Sequence, residues 1–230
     1  MRKIGFLIIF MVFGWQHLVF GQSITVYYDW VTDFPVAEMV KHGQSREKIL
    51  AINKHARPRK YSYKDGYSVY QTLKMTSDTI RVKAKVVLAR QFVEPYFYKD
   101  FLKGTIHIID MKNDSTTATE IGMEGFGEWR ILSDTTTILG HLCKKAVLEK
   151  NGKSTLSAWY ALDIPIMDGP EQYFGLPGLI LKLRAQGSWI IRASRIEEGR
   201  CDEFLQPTYS KLIDYREYIK RRKLYGRGGY

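Results

Sequence analysis

The sequence predicts a mainly β (α+β) chain: a curved antiparallel meander sheet or half-barrel with a C-terminal helix. Three observations carry that expectation. Strand-length runs recur along the chain, tight-turn dipeptides punctuate them, and helical periodicity is confined to the C-terminal end and one short internal stretch. The chain has 230 residues, 45% of them hydrophobic and 26% charged. That is enough for a real core, and it excludes wholesale disorder and an all-membrane protein.

Taken in order, residues 1–21 read as a secretory leader. Arg2 and Lys3 precede the apolar run Ile4–Trp15, which is too short to span a bilayer comfortably. Val19-Phe20-Gly21 then offers a cleavage site near Gly21, with Gln22 as the new N-terminus. A retained membrane anchor is the competing reading, but Gln16 and His17 interrupt the run. Residues 22–230 are then expected to form a single β-rich domain. Ile24–Val31 reads as its first strand. Asp33–Lys60 looks irregular, an insertion in the sheet, with Ser45–Lys54 as a weaker helix. Asp65-Gly66 is a turn between segments that carry Tyr61, Tyr63, Tyr67 and Tyr70. Ile80–Val87 and Trp129–Leu132 are strand-like. Asn113-Asp114 turns between Thr105–Lys112 and Ser115–Ile121, which would set His107 against Glu120.

The strongest turn signal is Asn151-Gly152, between the extended runs His141–Lys150 and Lys153–Leu162. Both central residues of a type I′ turn need positive φ, and Asn-Gly supplies it cheaply. A two-residue loop predicts Lys150 opposite Lys153, Ala146 opposite Ser157, Lys144 opposite Trp159 and Cys143 opposite Tyr160. The Lys144–Trp159 pair would add a cation–π contact of about 0.5–1 kcal/mol. Gly187-Ser188 predicts a type II′ turn joining Leu179–Gln186 to Trp189–Glu197. There Leu179, Leu181, Leu183 and Ala185 share one face, and Lys182 and Arg184 the other. Residues 207–225 close the fold as a helix, leaving 226–230 as a tail. Thr208 would cap it after Pro207, Leu212, Tyr215 and Ile219 recur at helical spacing over Tyr209–Tyr225, and Gly226 stops it.

Two cysteines are too few for a disulfide scaffold or a four-cysteine zinc site. In an oxidising compartment Cys143 and Cys201 are candidates to pair, a link of roughly 4 kcal/mol in the chain-entropy model; two separate buried thiols are the alternative. His141 and Cys143 share a strand face, and His107 faces Glu120, so either pair begins a metal site. No CxxC, HxxxH or HExxH spacing completes one, and no metal or cofactor is predicted. No GxSxG elbow, P-loop or GxGxxG after a strand is present, so no catalytic set is named.

The formal charge is +11. One basic cluster comprises Lys54, His55, Arg57, Arg59 and Lys60. A second, Lys220, Arg221, Arg222 and Lys223 with Arg227, closes the last helix. On an exported chain such clusters suit an anionic lipid surface, an acidic glycan or an acidic partner rather than nucleic acid. A plain solvated face is the competing reading.

Residues 158–183 read AWYALDIPIMDGPEQYFGLPGLILKL. The centre, Gly175-Leu176-Pro177-Gly178-Leu179-Ile180, resembles the signature of the GLPGLI family, secreted proteins of Gram-negative bacteria with no assigned biochemical function. The flanks agree: CKKA at Cys143–Ala146, AWY at Ala158–Tyr160 and IPIMDGP at Ile164–Pro170. The match runs as one block from 140 to 184. The resemblance implies an exported, β-rich protein of the periplasm or cell envelope, and it hands over no catalytic residue. Asp78-Thr79-Ile80, Asp114-Ser115-Thr116 and Asp134-Thr135-Thr136 also fit a short acceptor rule for O-glycosylation in some such bacteria.

Within the block, Pro165 and Pro170 end the preceding strand, because proline cannot donate to a ladder. Asp168-Gly169-Pro170 reads as a turn, and Pro177-Gly178 suits the middle of a type II turn. The loop is then either a buried corner or the lip of a binding groove built from Phe174, Gly175, Leu176, Pro177, Gly178 and Leu179. The leading expectation is a non-enzymatic binding or accessory protein for an envelope protein, lipid or peptide. The alternatives are a metal-dependent envelope enzyme using His141 or His107 with carboxylates, and a structural subunit of an outer-membrane assembly.

Overall fold

The computed structural model describes residues 23–73, 77–82, 85–91, 96–112, 115–124, 128–150, 153–201 and 206–224. The elements run β1 (Ser23–Thr32), α1 (Val36–Lys41), α2 (Arg46–Lys54), β2 (Arg57–Lys64), β3 (Tyr67–Thr72), β4 (Ser77–Val82), β5 (Lys85–Gln91), β6 (Tyr96–Asp100), β7 (Thr105–Lys112), β8 (Ser115–Gly122), β9 (Glu128–Ile138), β10 (His141–Lys150), β11 (Lys153–Ala161), β12 (Ile180–Ala185), β13 (Trp189–Glu198), β14 (Lys211–Ile213) and α3 (Tyr215–Leu224). The protein is mainly β, as the turn spacing predicts. Twelve strands form one open sheet in the order β14-β8-β7-β6-β3-β2-β1-β13-β12-β11-β10-β9, and β4 and β5 pair separately. Two antiparallel meanders are joined where β1 pairs with β13 from the far end of the chain. Among the described residues, the one parallel pairing is the short β14 on β8.

The sheet has to bend. β6 and β9 stand eight places apart in the strand order, about 38 Å if the sheet were flat. Yet Lys99 on β6 bonds the carbonyl of Tyr173, and Trp129 on β9 bonds the carbonyl of the next residue, Phe174. Both halves therefore curl over the segment between β11 and β12, and one core spans them. Ile24, Val26 and Tyr28 on β1, Tyr61 on β2, Tyr70 on β3, Phe97 on β6 and Ile106 and Ile108 on β7 meet Ala158 on β11, Leu183 on β12 and Ile191 on β13. A smaller cluster of Val69, Tyr98, Ile109 and Ala118 lies on the opposite face, covered in part by Tyr209.

The turns explain the register. Asp65 (φ 50°) and Gly66 (φ 85°) form the expected reversal, with Lys64 opposite Tyr67. Asn151-Gly152 and Asn113-Asp114 lie outside the described residues. Their flanks pair as expected, Lys150 with Lys153 and Lys112 with Ser115. His107 consequently stands opposite Glu120. Past the first rungs of β10–β11 a bulge at Leu148/Glu149 adds one residue to β11. Ala146 therefore faces Ala158, Lys144 faces Tyr160 and Cys143 faces Ala161, one place away from the two-residue-loop expectation. The cation–π partner of Trp159 is accordingly Lys145, 5.7 Å from the ring, and not Lys144. The β12–β13 turn spans Gln186–Ser188 rather than two residues: Ala185 pairs with Trp189, and the Ser188 N–H bonds Ala185 O at 3.0 Å.

Elsewhere the structure departs from the sequence expectations. Asp33–Lys60 is not irregular. It holds α1, α2 and the start of β2, with Ser45 accepting from the Lys48 N–H at 3.4 Å as the α2 cap. The Asn53 side chain ties α2 to the end of β1, accepting from the Thr32 hydroxyl and the Phe34 N–H and donating to Phe34 O. The run Ile80–Val87 is split between β4 and β5. The terminal helix begins at Tyr215 rather than Tyr209, because residues 211–213 are taken by β14. Asp214, not Thr208, caps it, accepting from the Glu217 N–H at 2.9 Å.

Candidate functional site

Leu162–Leu179 leaves the sheet after β11 and returns at β12, on the side toward which the sheet curls. Its backbone is shaped by proline. The Ile166 N–H bonds Ile164 O, and the Asp168 N–H bonds Ile166 O, each at 2.8 Å. These two three-residue turns, centred on Pro165 and Met167, send Ile164, Ile166 and Asp168 inward and Pro165 and Met167 outward. The next reversal runs from Pro170 to Tyr173, with Glu171 at φ 54°. The type II turn expected at Pro177-Gly178 is not formed. The Gly178 N–H bonds Leu176 O at 2.8 Å instead, while the Leu179 N–H is taken by Ile164 O at 3.0 Å. Two glycines are demanded by close approach. A Cβ on Gly169 would lie 2.7 Å from Ile180 Cβ, and one on Gly178 would lie 1.9 Å from the Ala161 carbonyl oxygen.

Beneath this loop sits a buried polar constellation centred on Asp168 and Lys99, each 1% exposed. Strand alternation explains the convergence: Ser68 on β3 pairs with Lys99 on β6, and both face the loop with Tyr61. Tyr61 and Ser68 donate their hydroxyls to Asp168 Oδ2, at 2.9 and 2.5 Å. Lys99 Nζ and the Gly169 N–H, the latter at 2.7 Å, donate to Oδ1. Lys99 Nζ also donates to Gly169 O at 2.7 Å and to Tyr173 O at 3.2 Å. Burial pushes the Lys99 amine below its usual range, an effect the Asp168 charge partly offsets. Burial, reinforced by Asp168, holds the Tyr61 and Tyr28 phenols well above theirs. Asp168 is legible in the sequence as a turn residue; Lys99 hardly is. Its signal is faint: in Tyr96–Asp100, Lys99 shares a strand face with Phe97.

The loop itself divides. Leu176 and Leu179 are buried among core residues, with Gly178 beside them, whereas Gly175 and Pro177 are exposed and Phe174 is half-buried. Leu176 and Leu179 thus belong to the corner, not to an apolar lip. A different outer rim forms around Phe174. The Trp129 indole donates to Phe174 O at 2.8 Å. Phe101 meets the Phe174 ring edge-on at 6.3 Å, and Tyr63 meets Phe101 at 6.4 Å. All four rings are half-buried. Phe101 follows β6 and Trp129 lies on β9, so no spacing in the chain announces this row.

The two histidine pairs stay apart. His107 Nε2 lies 2.8 Å from Glu120 Oε2 on β7–β8, and His141 Nδ1 lies 2.9 Å from Asp163 Oδ2 at β10, near the other end of the strand order. Among the described residues, no group of three His, Cys, Asp or Glu converges as a metal would require. No disulfide joins Cys143 to Cys201. Cys143 is buried on β10, and burial pushes its thiol up to about 11. In the first basic cluster, Arg57 and Arg59 turn inward, Arg57 lying 4.8 Å from the Trp30 ring centre, so that cluster is not one solvated patch. Lys220, Arg221, Arg222 and Lys223 fall within α3, and Lys220 is exposed. Thr135 is exposed on β9; the Thr79 and Ser115 side chains lie outside those described.

Residues 144–182 match a family model described as "Protein of unknown function (Porph_ging)". The matched stretch runs from β10 through the loop into β12. No curated protein matches the chain. Among solved structures it is similar to PNGF-II in space group C2, with a TM-score of 0.58 and 17% identity over 86% of this chain and 32% of that one. For PNGF-II in space group P21 the TM-score is 0.59, with 18% identity over 87% of this chain and 33% of that one. The chain thus spans about a third of the length of the PNGF-II chains. The likeness concerns the fold alone.

Proposed function

We propose that this chain is an exported, GLPGLI-type envelope protein that acts as a binding or accessory module. Its contact surface is the outer rim of the loop, Phe174 and Gly175 with Trp129, Phe101 and Tyr63. The observation that carries this reading is the row of half-buried aromatic rings held in place by the Trp129–Phe174 hydrogen bond. Rings already fixed by packing lose little entropy when a partner covers them, and flat aromatic faces dominate contact energies. The buried corner beneath supports the reading, since it holds Phe174 on a rigid base. The leader at residues 1–21 and the +11 charge suit work outside the cytosol beside an anionic surface, with α3 and its Lys220, Arg221, Arg222 and Lys223 as the point of contact.

The test is affinity purification from the native envelope with wild type and with Trp129→Ala and Phe101→Ala, each checked for folding by circular dichroism. A companion recovered with wild type and lost with both folded variants supports the rim. Equal recovery with all three overturns it. N-terminal sequencing of the envelope protein is expected to begin at Gln22.

A further inference from the structure

We propose that Lys99 and Asp168 are the two halves of a self-forming isopeptide cross-link, which covalently staples the Asp168 loop to β6. The arrangement has the parts such a condensation needs. The amine and the carboxyl group are in direct contact, each 1% exposed, with the bulk of the core around them. Reactive groups locked together in this way gain effective molarities of about 10⁵–10⁸ M. Water, which would otherwise favour hydrolysis and solvate both charges, is excluded.

The surrounding groups match the steps. A proton passes from the Lys99 ammonium to the Asp168 carboxylate within the pair, giving an amine and a carboxylic acid; burial favours this neutral form, and it already draws the Lys99 amine downward. The Nζ lone pair adds to Cγ of Asp168. The Gly169 N–H, 2.7 Å from Oδ1, is placed to receive the charge that develops on that oxygen. Tyr61 and Ser68, both on Oδ2, hold proton donors against the oxygen that departs. The C–O bond breaks, one water leaves with two of the three ammonium protons, and one C–N bond forms. No oxidant, metal or co-reactant enters the balance. The product amide keeps one N–H, with Gly169 O or Tyr173 O as its acceptor, and its carbonyl oxygen retains a hydrogen-bond donor. Departure of Oδ2 removes the acceptor that the buried Tyr61 and Ser68 hydroxyls share, so both turn to the remaining carbonyl oxygen or to the released water. The bond would pin the loop to the opposite half of the sheet in a chain whose two cysteines are not joined.

The experiment is mass spectrometry of the purified, folded chain. Wild type is expected to weigh one water less than the uncross-linked chain. Its tryptic digest should contain a single branched peptide joining the Lys99 and Asp168 segments. Lys99→Arg should restore the full mass and separate the two peptides, and Asp168→Asn should shed ammonia in place of water. Folded wild type at full mass, with unbranched peptides, overturns the proposal. So does a water loss that persists in Lys99→Arg and is converted by hydroxylamine to a hydroxamate, because that outcome assigns the loss to a cyclic imide at Asp168-Gly169. The branched wild-type peptide decides the matter even if a variant fails to fold.

Discussion

Replacing Gly178 by alanine tests whether the corner depends on backbone contact rather than on side chains. The added Cβ would lie 1.9 Å from the Ala161 carbonyl oxygen and 3.0 Å from its carbon, so about 1 Å of separation must be found. Neither partner is free to yield. The Ala161 N–H bonds Leu179 O at 2.9 Å, the Leu179 N–H bonds Ile164 O at 3.0 Å, and the Ile180 N–H bonds Asp168 O at 2.9 Å. Giving up two of these bonds costs about 2 kcal/mol. Displacing the flanking Leu176 and Leu179 from a packed core adds about 1–3 kcal/mol. The sum, about 3–5 kcal/mol, corresponds to a melting point lower by about 6–20 °C for a chain of this size. Thermal unfolding followed by far-ultraviolet circular dichroism measures it, with Gly122→Ala as the control. A Cβ on Gly122 meets nothing within 4 Å, so that variant should melt with wild type. If the two alanine variants melt together, the corner does not rest on close backbone approach.

Three further outcomes follow from the fold. Leu139 sits at φ 51° in the β9–β10 turn and is exposed, a left-handed conformation that costs most side chains but that Asn tolerates. Leu139→Asn should therefore raise stability by about 0.5–1 kcal/mol, read as a higher urea midpoint with an unchanged slope; a lower midpoint would contradict the turn. The buried Cys143 thiol titrates near 11 and the Tyr98 phenol near 12, both above their unfolded values. Groups whose pKa is raised on folding hold more protons in the native state. Their contribution is intact below about pH 8.5 and is lost as pH rises through 11 and 12. Urea midpoints should fall steadily above pH 9. Native Cys143 should resist iodoacetamide at pH 8.5 and react once urea unfolds the chain; rapid native labelling would refute its burial.

Much of the architecture is local and was therefore legible. Asp65-Gly66 reverses the chain because both residues accept positive φ, and the alternating apolar residues of β12 and β13 find the core face without long-range information. The His107–Glu120 pairing follows from turn position and a period of two. Register failed where a bulge entered, at Leu148/Glu149, since an extra residue in one strand leaves no mark in composition. Leu212 and Tyr215 fit helical spacing and so extend the expected C-terminal helix too far, whereas pairing with β8 claims residues 211–213 for a strand. The short helix α1, with no buried residue, carries no periodic signal.

Local chemistry along the chain thus spells out a mainly β protein, most of its hairpins and a proline–glycine corner between two strands. What surrounds that corner depends on how distant strands assemble in space. Lys99 and Asp168 are distant in the chain, as are Trp129, Phe174 and Phe101, and none of these sets has a spacing to read. The curl of a twelve-stranded sheet brings them together. Burying an amine and a carboxyl group against each other requires both halves of that sheet at once, and such a condition is set by where strands pair in space, not by which residues stand beside them in the chain.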